Sequence, residues 1–319
     1  MSGDPLEKRL EHQIASFGTM RSPLYERALT RALEDLRSGG VMRRFFDAEP
    51  ARRAMSTPGV RLLGAFHYLA LTGEAPELAA HLPSCGGDSD ADLLWEAARA
   101  LLAERMERVG ELFAETPQTN EVLRAVVLSA GLAAFAKSTG LPLRVFEIGA
   151  SAGLNTRLQP DGVCVAERAA CDLHPLDIES ERDRVRLLSF VWADDAERIE
   201  RLHEAIEAAR AQPLLVEQAD MYEWLTRRVM PKEGYATVVM QSVVEDHLTK
   251  DQRLRLAQTI DSIGEAATSQ SPFAWLRMER NDGTMRYDTQ LQIWPGKHER
   301  IVAKSTGHAR EIEWFEWSV

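Results

Sequence analysis

A glycine-containing segment near the middle of the chain has the residue types and spacing of a ligand-binding turn. It runs from Glu147 to Asn155 and follows a short apolar stretch. Gly149 permits a tight turn at the end of a strand, and Gly153 permits close approach of the backbone to a ligand. The pattern E-x-G-x-x-x-G is neither the Gly-x-Gly-x-x-Gly of pyrophosphate binders nor a Walker loop, which needs a following Gly-Lys-Ser/Thr. We therefore expect a turn between a strand and a helix that suits a nucleoside without phosphates.

Two downstream aspartates suit the sugar and the base of such a nucleoside. Asp172 lies 19 residues after Gly153, close to the roughly 20-residue offset at which an acidic residue ends the second strand and meets the ribose hydroxyls. Asp220 ends a third apolar stretch, and its carboxylate could accept a hydrogen bond from the adenine amine. Alone, each aspartate is equally typical of a helix cap or a solvated loop, and each glycine of close packing. Together they favour an adenosine-type ligand over an empty or repurposed site.

The composition excludes several classes of protein. The chain has 319 residues, of which 45% are hydrophobic, enough to bury a sizeable core and to exclude wholesale disorder. Its 38 Lys and Arg residues stand against 49 Asp and Glu residues, a net charge of −11, and no long basic run occurs. A protein that binds by neutralising phosphates would normally carry a basic stripe, so a nucleic-acid partner is not expected.

The sequence also bears on the location of the protein. No run of about 18 apolar residues occurs, so no membrane span is expected, and the first residues lack the pattern of a secretory signal. Cys85, Cys164 and Cys171 are an odd number without a CxxC spacing. This fits reduced, buried thiols better than a disulfide framework or a zinc site. These features predict a cytoplasmic protein.

The elements that must position the chemical groups fall into two halves. Up to Gly140, apolar residues recur at helical spacing between capping signals, which predicts an all-α N-terminal domain of residues 1–140. From Leu143 onwards, short apolar runs alternate with helical stretches, which predicts a mostly parallel sheet with helices on both faces. The predicted strands of this sheet are residues 144–148, 163–171, 214–217, 236–241 and 273–278.

The end of the chain has a different pattern. Residues 290–293, 300–304 and 312–317 alternate between apolar and polar side chains, and turns at Pro295-Gly296 and Thr306-Gly307 separate them. This spacing is typical of antiparallel strands added to one edge of a sheet. The sequence therefore predicts an α/β fold whose second domain covers residues 141–319.

The glycine segment, with its spacing to Asp172, resembles motif I of Rossmann-like S-adenosylmethionine-dependent methyltransferases. The whole chain is more specifically similar to a bacterial family known as domain of unknown function 2332. The stretches that carry this similarity are Ser22–Tyr25, Pro117–Glu121, Phe146–Asn155, Cys171–Asp177, Leu188–Trp192 and Trp294–Gly296. The resemblance implies that the second domain is a Rossmann-like, methyltransferase-type domain and that the cofactor is S-adenosylmethionine.

The resemblance also implies a set of cofactor-binding residues at the strand ends. The glycine segment would surround the methionine and ribose end of the cofactor, Asp172 would bind the ribose, and Asp220 the adenine. The predicted cofactor-binding residues are Glu147, Gly149, Ser151, Gly153, Asn155, Asp172, Asp220 and Gln241. Ser151 stands where methyltransferases commonly have the middle glycine of the motif. Its side chain leaves slightly less room for the backbone to approach the ligand.

The turn after the fourth predicted strand supplies the candidate catalytic residues. In this fold class the turn lies beside the transferable methyl group, and here it contains Glu245, Asp246 and His247. An O–H or N–H acceptor needs a base, and His247 is the first candidate because histidine titrates nearest to neutrality. Where the family tends to have His-Ser and an aromatic-rich turn, this chain reads Gln241–His247. The alternative interpretation is a solvated acidic turn that caps the helix starting at Lys250.

Two further polar segments contain residues that could bind a ligand. Gln118, Thr119 and Asn120 precede the helix that leads into the first strand, and they resemble a family signature. They are interpreted either as a lid or substrate-binding group or as ordinary helix caps. The loop around His174 and Asp177 has one histidine without a recognised ligand spacing, so no metal is predicted.

Three functions are compatible with these features. The first is a methyltransferase that acts on a small molecule or a protein side chain, with a small molecule preferred. The second is a non-catalytic protein that binds S-adenosylmethionine or a nucleoside and uses its helical half as a regulator or partner surface. The third is a methyltransferase-fold scaffold that has lost its ligand. The sequence leaves the attacked atom of the acceptor and the oligomeric state open.

Overall fold

The computed structural model describes residues 4–19, 22–48, 52–53, 55–281 and 286–316. These residues form a mixed α/β structure with 12 α-helices and an eight-stranded sheet. Contacts between Cα atoms divide the chain into two compact units, residues 1–119 with 179–204 and residues 120–178 with 205–319. Among the residues described, every helix is too short or too polar to traverse a lipid bilayer.

Most of the helices belong to the first unit. The α-helices of the described chain are α1 Pro5–Thr19, α2 Pro23–Arg37, α3 Val41–Ala48, α4 Pro58–Leu71, α5 Pro76–Ala79, α6 Ala91–Glu104, α7 Met106–Ala114, α8 Arg124–Thr139, α9 Glu181–Ser189, α10 Ala196–Arg210, α11 Met221–Arg228 and α12 Lys250–Gly264. In α2 the apolar residues recur every three or four positions, and the stripe from Leu24 to Leu36 is buried. Asp90 caps α6, since its carboxylate accepts hydrogen bonds from the N–H groups of Asp92 and Leu93. Helices α1 to α7 enclose one apolar core.

The sheet lies in the second unit. Its strands are β1 Leu143–Ile148, β2 Val165–Asp172, β3 Val216–Gln218, β4 Ala236–Ser242, β5 Phe273–Arg280, β6 Tyr287–Trp294, β7 His298–Ser305 and β8 Glu313–Trp314. The strand order is β3-β2-β1-β4-β5-β6-β7-β8. β1 to β5 pair in parallel, whereas β6, β7 and β8 pair antiparallel at one edge. The predicted mostly parallel sheet with an antiparallel C-terminal edge is confirmed.

Helices cover both faces of the sheet, because successive side chains of a strand point to opposite faces. On one face, Phe135 of α8 shares a core with Val145 and Leu276. On the other face, Trp224 of α11 packs edge-on against Phe146, with ring centroids 6.1 Å apart. These two layers fix the strand ends at which the predicted site residues lie.

The connection between β1 and β2 differs from the prediction. We expected a helix directly after the glycine segment, but residues 149–164 form turns and irregular backbone. The backbone N–H groups of Ser151, Ala152 and Leu154 donate to side-chain oxygens from outside the segment. These bonds to side chains take the place of the backbone hydrogen bonds that a helix would make. The prediction of a strand–turn–helix unit at this point is therefore wrong.

The compact units also differ in extent from the predicted domains of residues 1–140 and 141–319. α8 belongs to the unit that contains the sheet, and residues 179–204 belong to the helical unit although they lie between β2 and β3 in the sequence. Trp192 and Ala193 explain this second assignment, because both are buried in the helical core. The predicted limits, taken as independently folding domains, stay a prediction.

Truncating Leu276 should strongly destabilise the sheet-containing unit. The side chain is fully buried against α8, where a Cβ at Gly131 would lie only 2.5 Å from Leu276 Cδ1. We expect Leu276→Ala to lower the free energy of unfolding by about 2–5 kcal/mol, because it leaves a cavity. Leu254→Ala is the matched control, since that leucine is 60% exposed, and its change should stay within about 0.5 kcal/mol. Urea unfolding measures both, and equal effects would contradict the packing described.

Candidate functional site

The candidate site lies where the carboxyl ends of the parallel strands meet. β1 has β2 on one side and β4 on the other, so the order of strands reverses between β1 and β4. The chain leaves these two neighbouring strands in opposite directions across the sheet, and the crevice at such a point is where open α/β sheets bind ligands. The predicted cofactor residues all follow β1, β2, β3 or β4 or stand at their ends.

The glycine segment after β1 is a succession of left-handed backbone conformations. Gly149, Ser151 and Gly153 have φ angles of 64°, 55° and 69°. A Cβ at Gly149 would lie 2.6 Å from Val244, and one at Gly153 would lie 2.8 Å from Val216. Both glycines are therefore needed for the segment to lie against β3 and the turn after β4. The close approach expected between Gly153 and a ligand is, in this structure, an approach to protein side chains.

Asp172 connects the end of β2 to the glycine segment. Its Oδ2 accepts a hydrogen bond from the backbone N–H of Ser151 at 2.8 Å, and its Oδ1 accepts one from the N–H of His174 at 2.8 Å. The side chain is half-buried. A carboxylate has about four lone-pair directions, so each oxygen keeps capacity for a further donor. Asp172 thus faces the glycine segment, and its assignment to a ribose stays a prediction.

Asn120 holds the other side of the glycine segment. Its buried Oδ1 accepts from the N–H groups of Ala152 and Leu154 at 3.0 and 3.3 Å. Sequence analysis assigned Asn120 with Gln118 and Thr119 to the substrate, whereas the structure shows its amide oxygen bound to the glycine segment. Gln118 and Thr119 belong to the other compact unit, and their assignment stays a prediction.

Glu147 is a buried carboxylic acid directly before the glycine segment. Thr156 donates its hydroxyl hydrogen bond to Glu147 Oε2. Burial raises the pKa of Glu147 to about 8, with the negative charge of Asp172 acting in the same direction and Arg124 and Arg157 against it. The side chain is therefore largely protonated at neutral pH. Asn155 is also buried, and its Oδ1 has no hydrogen-bond partner in the structure.

Asp220 and Gln241 are both engaged by the protein itself. Asp220 caps α11, and its Oδ1 accepts from the N–H groups of Tyr222 and Glu223. Gln241 is fully buried at the end of β4, where it donates to Glu279 and accepts from the indole of Trp275. Ala219 donates its N–H to the backbone oxygen of Asp172, so the ends of β2 and β3 are adjacent.

Glu279 determines the shape of the turn after β4. It is buried, and its carboxyl oxygens accept from the backbone N–H groups of Val244 and Glu245 at 3.0 and 3.1 Å. Burial raises the pKa of Glu279 to about 8, although the hydrogen bond from Gln241 acts against this. The turn contains Val243 in a left-handed conformation with a φ of 58°.

Two of the three predicted catalytic groups form ion pairs. Asp246 lies 2.9 Å from Arg280, and Glu245 lies 3.9 Å from Arg277. The hydroxyl of Tyr287 lies 3.5 Å from the second oxygen of Asp246. His247 is exposed in the same short 3₁₀ turn, at the carboxyl edge where the sequence predicted it.

Three residues at this edge, Glu279, Thr156 and Tyr287, are not among the predicted site residues. Glu279 was detectable, because it is an acid at the end of an apolar run, as Asp172 is. Thr156 and Tyr287 carry no local signal, since their roles depend on contacts with residues distant in sequence. In the described part of the chain, the structure holds no cluster of three His, Cys, Asp or Glu side chains suited to a metal ion.

Comparison with known proteins identifies a family. A family model described as an uncharacterized protein conserved in bacteria (DUF2332) matches residues 7–161 and 156–314. Because these matches cover most of the sequence, the chain belongs to this family. No curated protein matches the chain.

Removing the Asn120 amide should unfold the glycine segment locally. Asn120→Ala leaves two buried N–H groups without an acceptor, and we expect a loss of about 2–5 kcal/mol in the free energy of unfolding. Faster hydrogen exchange at the amides of Ala152 and Leu154 should accompany it. Asn120→Asp keeps an acceptor oxygen and serves as the control, with at most half of the loss. An alanine variant as stable as the parent would contradict the assigned role.

The burial of Glu147 predicts a pH dependence of stability. Its native pKa of about 8 lies above the ordinary value of 4.5, so between these values the native state keeps a proton that the unfolded chain releases. The free energy of unfolding should therefore be highest near pH 5 and fall as the pH rises to 8. In Glu147→Gln this fall should shrink by roughly 2–4 kcal/mol. Urea unfolding at several pH values measures it; the exposed Glu233→Gln is the control, and an unchanged slope in Glu147→Gln refutes the assignment.

Proposed function

We propose that this member of the DUF2332 family is an S-adenosylmethionine-dependent methyltransferase that acts on a small molecule. The observation that carries the proposal is the 2.8 Å hydrogen bond from the Ser151 N–H to the Asp172 carboxylate. This bond supports the proposal because the Asp172 carboxylate lies directly beside the left-handed turn after β1, where the proposed function requires a ribose-binding acid. We interpret β3-β2-β1-β4-β5 as a Rossmann-like, methyltransferase-type arrangement, with the ligand at the reversal of strand order.

The groups at this edge fit the nucleoside part of the cofactor. The Asp172 oxygens each accept one backbone hydrogen bond and can accept one ribose hydroxyl in addition. Where Asp220 caps α11, its Oδ1 accepts both hydrogen bonds, from the N–H groups of Tyr222 and Glu223. We therefore assign the other oxygen, Oδ2, to the adenine amine. Because the ends of β2 and β3 are adjacent, both acids follow strands that end at the same carboxyl edge of the sheet.

The missing helix after β1 fits the positive charge of the sulfonium. A helix N-terminus carries roughly half a positive charge, which favours a phosphate but would repel a sulfonium. Residues 149–164 contain no helix, and the carboxyl group of Glu147 stands directly before them. A nearby cation favours the ionised form of a carboxyl group. We therefore assign Glu147, with the unpartnered Oδ1 of Asn155, to the methionine end.

The chain's own residues must align an acceptor and remove its proton. When bound, S-adenosylmethionine supplies an electrophilic methyl group for in-line displacement. We assign the base to His247, because Arg277 and Arg280 neutralise Glu245 and Asp246. Glu279 keeps the turn that carries His247 in place through its two backbone hydrogen bonds.

The same ion pairs favour a second candidate function. Because Glu245 and Asp246 are both paired with arginines, the turn after β4 offers few groups for proton transfer. A protein that binds S-adenosylmethionine without transferring its methyl group would need only the acids at β1, β2 and β3. Methyl transfer to any acceptor separates the two functions.

Calorimetric titration of the full chain with S-adenosylmethionine and S-adenosylhomocysteine tests the site. We expect both to bind, and Asp172→Asn to weaken binding at least about tenfold, because a charge-assisted hydrogen-bond acceptor for the ribose is lost. Asp161→Asn removes the same charge from an exposed turn and should bind like the parent. The absence of heat with both ligands would overturn the proposal.

A second arm separates the transferase from the binder. The parent and His247→Ala are incubated with methyl-labelled S-adenosylmethionine and a metabolite extract. Label transferred to a small molecule by the parent, and more slowly by the variant, supports the methyltransferase. Label that stays wholly on the cofactor, despite measurable binding, supports the non-catalytic protein.

A further inference from the structure

A cleft within the helical unit combines positive charge with an aromatic wall. It has a volume of about 180 Å³, and its lining residues are Gly64, Ala65, Tyr68, Arg108, Leu112, Glu115, Arg182, Arg186, Ser189 and Phe190. All of these residues belong to the first compact unit. They lie on α4, α7 and α9 or directly after these helices. The cleft is therefore separate from the strand-end site described above.

The polar part of the cleft is dominated by arginines. Among the lining residues, three arginines accompany one carboxylate, Glu115; Glu74 and Glu111 pair with Arg108 from outside the lining. Arg182 and Arg186 are four residues apart on α9, so both project from one face of that helix. Within the described part of the chain, the cation of this cleft that no carboxylate compensates is Arg182, and a positive charge of this kind attracts anions.

The three arginines differ in how many of their N–H groups already bind protein oxygens. Arg108 is bound by Glu74, and the guanidinium of Arg186 lies 2.6 Å from Glu115. The Nε of Arg186 is nevertheless buried and has no hydrogen-bond partner among the residues that the structure describes. Arg182 is exposed and makes no ion pair with any residue in the described ranges. A buried donor without a partner and a free cation beside it leave hydrogen-bonding capacity that an oxyanion would use.

The apolar part of the cleft limits the size and shape of the occupant. Gly64 allows α4 to approach Phe190 closely, since a Cβ there would lie 2.6 Å from the ring. Tyr68, Leu112 and Phe190 present apolar surface beside the arginines. Pockets for drug-sized ligands usually have volumes of roughly 300–1,000 Å³, so this cleft suits a smaller molecule.

We propose that this cleft binds a small organic anion. Its carboxylate or phosphate group accepts hydrogen bonds from Arg182 and Arg186, and its apolar body lies against Tyr68 and Phe190. The site is a binding site in the helical unit, and it does not depend on the proposed methyl transfer.

Ligand-observed NMR titration of the full chain tests the proposal with two probes, benzoate and inorganic phosphate. We expect benzoate to bind, and to bind more tightly than phosphate if the aromatic wall contributes. Arg182→Gln should weaken binding about tenfold, because one charge-assisted hydrogen bond is lost, and added salt should weaken it further. Arg182 is exposed, so the variant should fold like the parent.

Arg184→Gln is the matched control. Arg184 lies on the same helix and carries the same charge, but it donates to the backbone oxygen of Glu179 and does not line the cleft. Its variant should bind benzoate as the parent does. The proposal is overturned if neither probe binds at millimolar concentration, or if Arg182→Gln leaves the affinity unchanged. It is overturned equally if Arg184→Gln weakens binding as much as Arg182→Gln, because the effect would then be one of general charge.

Discussion

The hydrogen bond between the Ser151 N–H and the Asp172 carboxylate is the interaction on which the architecture of the strand-end site depends. Ser151 has a left-handed backbone, which costs an ordinary residue about 1–2 kcal/mol. A hydrogen bond to a charged group contributes about 1.5–3 kcal/mol, enough to offset that strain. Asp172 also fixes the N–H of His174. One carboxylate thus holds the glycine segment after β1 against the loop after β2.

The other turns at this edge are held by the same physical device. Asn120 accepts two N–H groups of the glycine segment, and Glu279 accepts two from the turn after β4. Each acceptor is buried, where an unmade hydrogen bond would cost about 1–3 kcal/mol. Irregular backbone at a sheet edge is kept in one conformation by side chains from distant parts of the sequence. A preformed edge of this kind lowers the entropic cost of binding a ligand.

The electrostatics of the two proposed sites are opposite, and so are the ligands they suit. At the strand ends, Asp172 and Asp220 provide carboxylates, and residues 149–164 between β1 and β2 contain no helix, which suits a neutral nucleoside with a cationic sulfonium. In the helical unit, the cleft carries an excess of arginine, which suits an anion. The net charge of −11 reveals neither site, because it is a sum over the whole chain and does not record how charges are distributed.

The sequence by itself determined the alternation of strands and helices, the antiparallel end of the sheet and the position of Asp172. These features depend on hydrophobic periodicity and short offsets, which are local. The tertiary structure alone decided that residues 149–164 form no helix, that the Asn120 amide oxygen binds the glycine segment, and that Glu279 shapes the turn after β4. Each of these depends on contacts between residues more than 20 positions apart. Such partners become neighbours only once parallel strands bring their carboxyl ends to one edge, and no local pattern records that arrangement.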